Sequence, residues 1–339
     1  MRGRLFRRLI IAAAIVVTGL AAAEITASLF LPASGVTNPD LYIPDAARGS
    51  ALRPGVKETI VRAGHSFEVS INSNGYRDDE WPLQDPRPRV LLVGSSAAFG
   101  VGLSHEQSLA GQLERDLAPK ILAFNTATYT YGPISELPTI LRECPTVHPF
   151  LVLYLHEYKN TRADFLVPRP TSGPEEPDPQ SERRWGVTLP ALRTLLSDHF
   201  LHPRQIVERL VGLDRLPHDY LERYAQTIGP DYAPGNAARA AALIREMAAA
   251  AQQCGAKFQM AVLPGPAEAY YGLREPATEA LLAALRSAGM ADDVIDTRSG
   301  IPLGSRLFLT AHDYPNAAGA AYLAGAIAPH AAAMLETQP

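Results

Sequence analysis

Residues 90–102, Val-Leu-Leu-Val-Gly-Ser-Ser-Ala-Ala-Phe-Gly-Val-Gly, constrain this chain more than any other stretch. Val90, Leu91, Leu92 and Val93 form an apolar run without polar alternation. That is the pattern of a strand covered on both faces and paired in parallel. The run passes directly into small residues and glycines, which permit a tight strand-to-helix turn and present a side chain at the strand's carboxyl end. A hydroxyl there sits among the free N–H groups of a helix start, which stabilise negative charge on a reacting oxygen. Ser96 is therefore a candidate nucleophile. The same pattern also fits a glycine-rich turn of a generic α/β domain, with Ser96 an ordinary helix cap.

The pattern repeats down the chain. Strands are expected at 90–93, 121–125, 150–155, 257–263 and 293–296, and helices at 106–117, 134–143, 236–254, 278–288 and 316–335. In the helix over 106–117, Leu109, Leu113 and Leu117 share one face. Strands alternating with helices imply an α/β fold: a flavodoxin-like, three-layer α/β/α arrangement around a parallel sheet, over residues 89–337. Residues 33–88 read as a linker and a small β-rich preface, with Asn74-Gly75 as a turn and packing as its expected role. Residues 166–235 interrupt the alternation; they are rich in Pro, Glu, Ser and Arg at first, then suggest short helices. The insertion follows a strand's carboxyl end, where ligands bind, so a lid and a plain solvated excursion both fit.

With 339 residues there is ample chain for a core. A net charge of −4 and the lack of a basic patch disfavour nucleic acid as a partner. Arg2, Arg4, Arg7 and Arg8 precede an apolar run that Glu24 interrupts and that resumes to Leu31. Residues 1–32 read as a signal-anchor, placing the remainder in the periplasm on an inner-membrane tether, or as a signal peptide; either way the rest of the chain is expected to be exported. If Ala21-Ala22-Ala23 is a cleavage site, the protein is secreted instead. Cys144 and Cys254 each end an expected helix leading into neighbouring strands. Helices side by side usually hold such residues too far apart for a bridge unless their ends converge, so two free thiols are expected, with a disulfide as the alternative. No metal-type spacing of His and Cys occurs, so neither metal nor cofactor is expected. The glycines form neither a dinucleotide fingerprint nor a phosphate loop.

The segment Gly94-Ser95-Ser96-Ala97-Ala98-Phe99-Gly100 resembles the first block of the SGNH (GDSL-type) hydrolases, in which Gly-Asp-Ser is followed by a glycine four residues after the serine. Ile71-Asn72-Ser73-Asn74-Gly75-Tyr76-Arg77-Asp78 is similar to a signature of membrane-anchored members. Phe124-Asn125 with Tyr131-Gly132-Pro133 resembles the second block, and Pro315-Asn316-Ala317-Ala318-Gly319 the last. The resemblance runs from about Leu41 to the end and implies the SGNH-hydrolase fold.

It also implies a set of site residues. Ser96 takes the nucleophile's position and Ser95 that of the family's Asp. Thr130 stands where an oxyanion glycine is expected; its N–H remains, without glycine's freedom to aim it. In the third block, His156-Glu157-Tyr158-Lys159-Asn160, Asn160 serves as a donor if the loop is one residue longer, and otherwise Lys159 holds the position. In the last block Tyr314 replaces the catalytic His and Ala311 the Asp, with His312 and Asp313 beside them. A shifted loop would bring His312 to Ser96 as base; Asp313, adjacent to it in sequence, is poorly placed to orient it, so the acid would be Glu157, Asp296 or absent. The implied activity is ester hydrolysis or acyl transfer on an acylated envelope glycan or lipid. The displaced last block fits equally a catalytically degenerate member that binds glycan or an assembly partner.

Overall fold

In this computed structural model the described residues are 41–62, 65–167, 234–265, 268, 269, 272, 274–301, 307, 308 and 314–336, with isolated positions 7, 11, 18, 19 and 22. The chain divides into two units, one gathering residues 1–37, 61–65 and 175–214 and the other residues 38–60, 66–174 and 215–339. Apart from the ends of two strands, everything that follows lies in the second. The expected anchor at 1–32 and nearly all of the insertion at 166–235 lie outside the described residues.

Four short strands come first: β1 (Tyr42–Asp45), β2 (Gly49–Leu52), β3 (Lys57–Arg62) and β4 (His65–Ser70). β1 pairs antiparallel with β2, and β3 with β4 forms a second two-stranded sheet. The main sheet holds β5 (Arg89–Gly94), β6 (Leu122–Asn125), β7 (Leu151–His156), β8 (Lys257–Val262) and β9 (Val294–Asp296). Their order is β6-β5-β7-β8-β9 and every pair is parallel. The register aligns Asn125, Gly94, His156, Val262 and Asp296 along or near one edge, the carboxyl ends of the strands. β5 is the strand from which the order runs in both directions, and an open α/β sheet has its crevice at such a point.

Alternation explains the layers. Val90, Leu92, Leu151, Leu153 and Leu155 belong to one core, and Leu91, Val93, Val152 and Tyr154 to the other. Successive side chains of a strand face opposite ways, so a fully apolar strand needs cover on both sides. The first core is closed by α2 (Leu109–Leu117) and α6 (Ala317–Glu336), and by Leu41, Leu52, Phe67 and Val69 of the preface. The second is closed by α3 (Pro133–Val147), α4 (Pro234–Gln253) and α5 (Pro276–Ser287). α1 (Ser96–Phe99) is a single turn directly after β5.

The observed helix α2 starts at Leu109 rather than the expected 106, because the Ser108 hydroxyl accepts from the Gly111 N–H and sets the cap there. α6 is, among the described residues, long and apolar enough to cross a bilayer. Its stripe of Ala320, Leu323, Ala324, Ile327, Ala328 and Ala331 is instead buried in the core. The cysteines depart from expectation: Cys144 and Cys254 form a disulfide with their Cα atoms 6.0 Å apart. α3 and α4 lie side by side and feed β7 and β8, which are neighbours in the sheet, so their carboxyl ends are drawn together.

Candidate active site

Ser96 lies on the turn that leaves β5 and is buried, as are Ser95 and Ala97. It is the first residue of α1 rather than its cap; Ser95 occupies the cap position and makes no side-chain capping bond. The cap comes from 60 residues away, where a Glu157 carboxylate oxygen accepts from the Ala97 N–H at 2.7 Å. The same oxygen accepts from the Ser95 hydroxyl at 2.5 Å. Where the resemblance leads one to expect an aspartate at 95, the chain therefore supplies a carboxylate from the third block. Glu157 Oε2 pairs with Lys159 Nζ at 2.8 Å, so the turn carries a local ion pair.

Gly94 and Gly100 have definite reasons to be glycine. A Cβ on Gly94 would lie 3.1 Å from the Leu155 carbonyl and from Ala98 Cβ, so a side chain would push helix from sheet. Gly100 has φ +81° and closes α1 in the left-handed region.

The preface holds this turn in place. Arg77, 1% exposed, donates to the carbonyls of Phe99 and Gly100 at 2.7 Å, Leu103 at 2.6 Å and Glu68 at 2.9 Å. Its planar fork lies over the Phe67 and Phe99 rings, 5.3 and 5.2 Å from their centres. Burial brings the guanidinium down to about 10, still charged near neutrality. Asn72 builds the preceding turn, its side-chain oxygen accepting from the N–H groups of Asn74 and Tyr76. Asp78 accepts from the Asn125 N–H at 2.8 Å and Trp81 Nε1 at 2.7 Å, fixing the end of β6. The expectation of packing alone for this segment falls short. Arg77 binds the backbone that follows the nucleophile turn, and Asp78 the end of β6.

The other implied residues fall as follows. The Ser96 hydroxyl donates to the Tyr129 carbonyl at 3.3 Å, an acceptor that cannot take the proton. Thr130 is half-buried in the turn after β6. Asn160 is buried beside Ser95; its Oδ1 accepts from the Glu157 N–H at 2.7 Å and its Nδ2 approaches Ser95 Oγ at 3.4 Å. The amide thus braces the 3-10 turn Tyr158–Thr161. Tyr314 meets the Tyr129 hydroxyl at 3.1 Å, and Lys159 Nζ lies 5.0 Å from the centre of its ring. His312 and Asp313 lie outside the described residues. Of the other acids, Glu157 is committed to the serine turn and Asp296 pairs with Arg298 at 2.8 Å.

Behind the turn lies a fully buried polar group that sequence reasoning passed over. Tyr154 OH is 3.0 Å from His156 Nδ1, and Glu136 on α3 is enclosed nearby. Burial pushes the Glu136 carboxyl well above the carboxylate range, with Glu157 adding to the shift. Burial holds His156 down to about 3, with Arg298 adding to it, so its imidazole is neutral. The alternation of β7 gives a hint, since Tyr154 and His156 are the polar members of an otherwise apolar strand.

No protein-family model matches the chain, and no curated protein does. Among solved structures, TesA superposes with a TM-score of 0.44 at 15% identity, covering 73% of this chain and 99% of its own. The lipase/acylhydrolase from Enterococcus faecalis gives 0.42 at 11% identity, with 72% and 94% covered. A carbohydrate acetylesterase family member from Sinorhizobium meliloti gives 0.38 at 12% identity, with 74% and 99% covered. These are remote likenesses. The chain's own five parallel strands in this order, with helices on both faces, make up a three-layer α/β/α fold with a serine on the turn that leaves β5.

Proposed function

We propose that this protein is a hydrolase-like serine protein of the SGNH type that cleaves or transfers an O-acyl group on an envelope glycan or lipid. One observation carries the reading: Ser96 stands at the carboxyl end of β5 with its hydroxyl on the Tyr129 carbonyl, and Tyr129 is bonded in turn to Tyr314. Tyr314 of the last block is thereby linked to the residue that holds the Ser96 hydroxyl, which supports the reading. His312 lies two residues before Tyr314 in sequence, and the reading assigns it as the base.

In this reading Ser96 Oγ attacks the ester carbonyl carbon while its proton passes to His312. The N–H groups of Ser96 and Thr130 hold the oxyanion. The tetrahedral intermediate then collapses, the alcohol leaves with the proton from His312, and the acyl group rests on Ser96. Water or a second hydroxyl releases it by the same steps in reverse. Asp313, adjacent in sequence to His312, is poorly placed to orient it. Export is part of the proposal; the Cys144–Cys254 disulfide supports an oxidising compartment and the apolar run at 9–31 a membrane tether.

A specific observation favours a second reading. Tyr314 at the histidine position is tied to Tyr129, and the Glu157 carboxylate sits in the turn where an oxyanion would develop. A degenerate member that binds the acylated glycan without turning it over fits those two facts. Fluorophosphonate labelling and aryl-ester turnover of the wild type, Ser96→Ala and His312→Ala separate the two. Labelling lost in both variants supports the hydrolase. A folded protein with neither labelling nor turnover, but with glycan binding that survives Ser96→Ala, supports the binder.

A further inference from the structure

Asp78, His105 and Glu114 come from three places in the chain: the preface, the loop before α2 and α2 itself. Each directs one ligand-type atom to a common point, and the three atoms lie within 4.8 Å of one another. His105 Nε2 is 3.2 Å from Glu114 Oε2 and 3.9 Å from Asp78 Oδ1. A tetrahedral ion with bonds of about 2.0–2.1 Å spaces its ligand atoms about 3.3 Å apart, so a small closure of the set suffices.

Two further observations separate this trio from a chance surface cluster. The Asp78 side chain is 4% exposed and oriented from behind by Trp81 Nε1 and the N–H groups of Asn125 and Asp79. Support of that kind around a ligating carboxylate fixes its orientation. Glu114 Oε1 is shut off from solvent and accepts no hydrogen bond among the described residues. Two carboxylates held together beside one imidazole offer oxygen and nitrogen donors to a single cation. The buried Arg77, next to Asp78 in sequence, is spent on four carbonyls.

We propose that Asp78, His105 and Glu114 form a binding site for a divalent first-row transition ion, with Zn2+ the best match to one imidazole and two carboxylates. His105 and Glu114 are about a quarter exposed, so the site opens to solvent and water completes the coordination. The ion would fasten α2 and the loop before it to the preface, and so reinforce from outside the segment that Arg77 holds from within. This assignment is independent of the acyl chemistry at Ser96. The sequence could not suggest it, because the spacings of 27 and 9 residues between Asp78, His105 and Glu114 match no familiar ligand pattern.

The test is titration of the full chain, freed of metal by chelator dialysis, with Zn2+ by calorimetry and with Co2+ by visible absorption. The expected result is one ion per chain and a melting temperature raised by about 5 °C at saturating Zn2+. Affinity should fall at least tenfold in both His105→Gln and Glu114→Gln. Each variant is first shown to melt within a few degrees of the metal-free wild type. If either fails that check, His105→Asn and Glu114→Met replace them. No binding by the wild type would overturn the proposal, as would binding of equal affinity in both variants, which would place the ion elsewhere on the surface.

Discussion

Arg77 shows how much one side chain in the preface decides. Its four carbonyl acceptors lie on two segments that no backbone ladder joins, and it is almost fully enclosed. A lysine has the charge but a single nitrogen, so it cannot reach both sides of the fork. Arg77→Lys is expected to lower stability by about 2–4 kcal/mol in urea unfolding, with labelling at Ser96, if present in the wild type, lost in proportion. His156 gives a signed pH effect. Its folded value of about 3 lies below the ordinary imidazole value of 6.5. Above about pH 6.5 it contributes nothing, and below it the unfolded chain gains a proton that the folded one refuses until about pH 3. Stability should fall by about 2 kcal/mol from this residue between about pH 7.5 and about pH 5. In His156→Gln that part of the fall should vanish, as read from urea midpoints at the two pH values. Glu136 works in the opposite direction. Its folded value is raised, so its contribution declines as pH rises past the ordinary carboxylate value.

At the scale of elements, the strands and helices were legible because both faces of the sheet are covered. Runs such as 90–93 and 150–155 can satisfy their apolar side chains only as buried parallel strands, and all five expected strands are present to within one or two residues. The cap given by Ser108 was equally local, yet the helix start was expected three residues early, since periodicity marks a face better than an end. The bond between elements was not legible. Glu157 closes the serine turn across 60 residues, and nothing near residue 97 announces a distant acceptor. Glu157→Ala leaves the Ala97 N–H, the Ser95 hydroxyl and Lys159 without that partner, and is expected to cost about 2–3 kcal/mol. Glu157→Gln keeps an acceptor oxygen and should cost about half as much; urea unfolding of the pair measures the difference. If both cost the same, charge rather than the cap holds the turn.

At the scale of the whole molecule, the site was half legible. The serine turn was marked by composition, whereas the pairing of Tyr314 with Tyr129 and the convergence of Asp78, His105 and Glu114 depend on chain reversals that no local spacing records. The disulfide was misjudged for the same reason, because the distance between two helix ends follows from sheet order rather than from either helix. It closes a loop of 110 residues. Reduction, or Cys144→Ser with Cys254→Ser, is expected to lower stability by about 3–5 kcal/mol, measured by urea unfolding with and without reductant.

That cross-link also changes what a broken backbone would mean. Residues 168–233 fall wholly between Cys144 and Cys254. A protease that severs the chain anywhere in that span leaves β5–β7 on one fragment and β8–β9 on the other, still joined through sulfur. On a denaturing gel the nicked protein would migrate near full size until a thiol is added, and then fall into two bands. Without the thiol, the severed molecule is still one covalent body and has one sheet to fold.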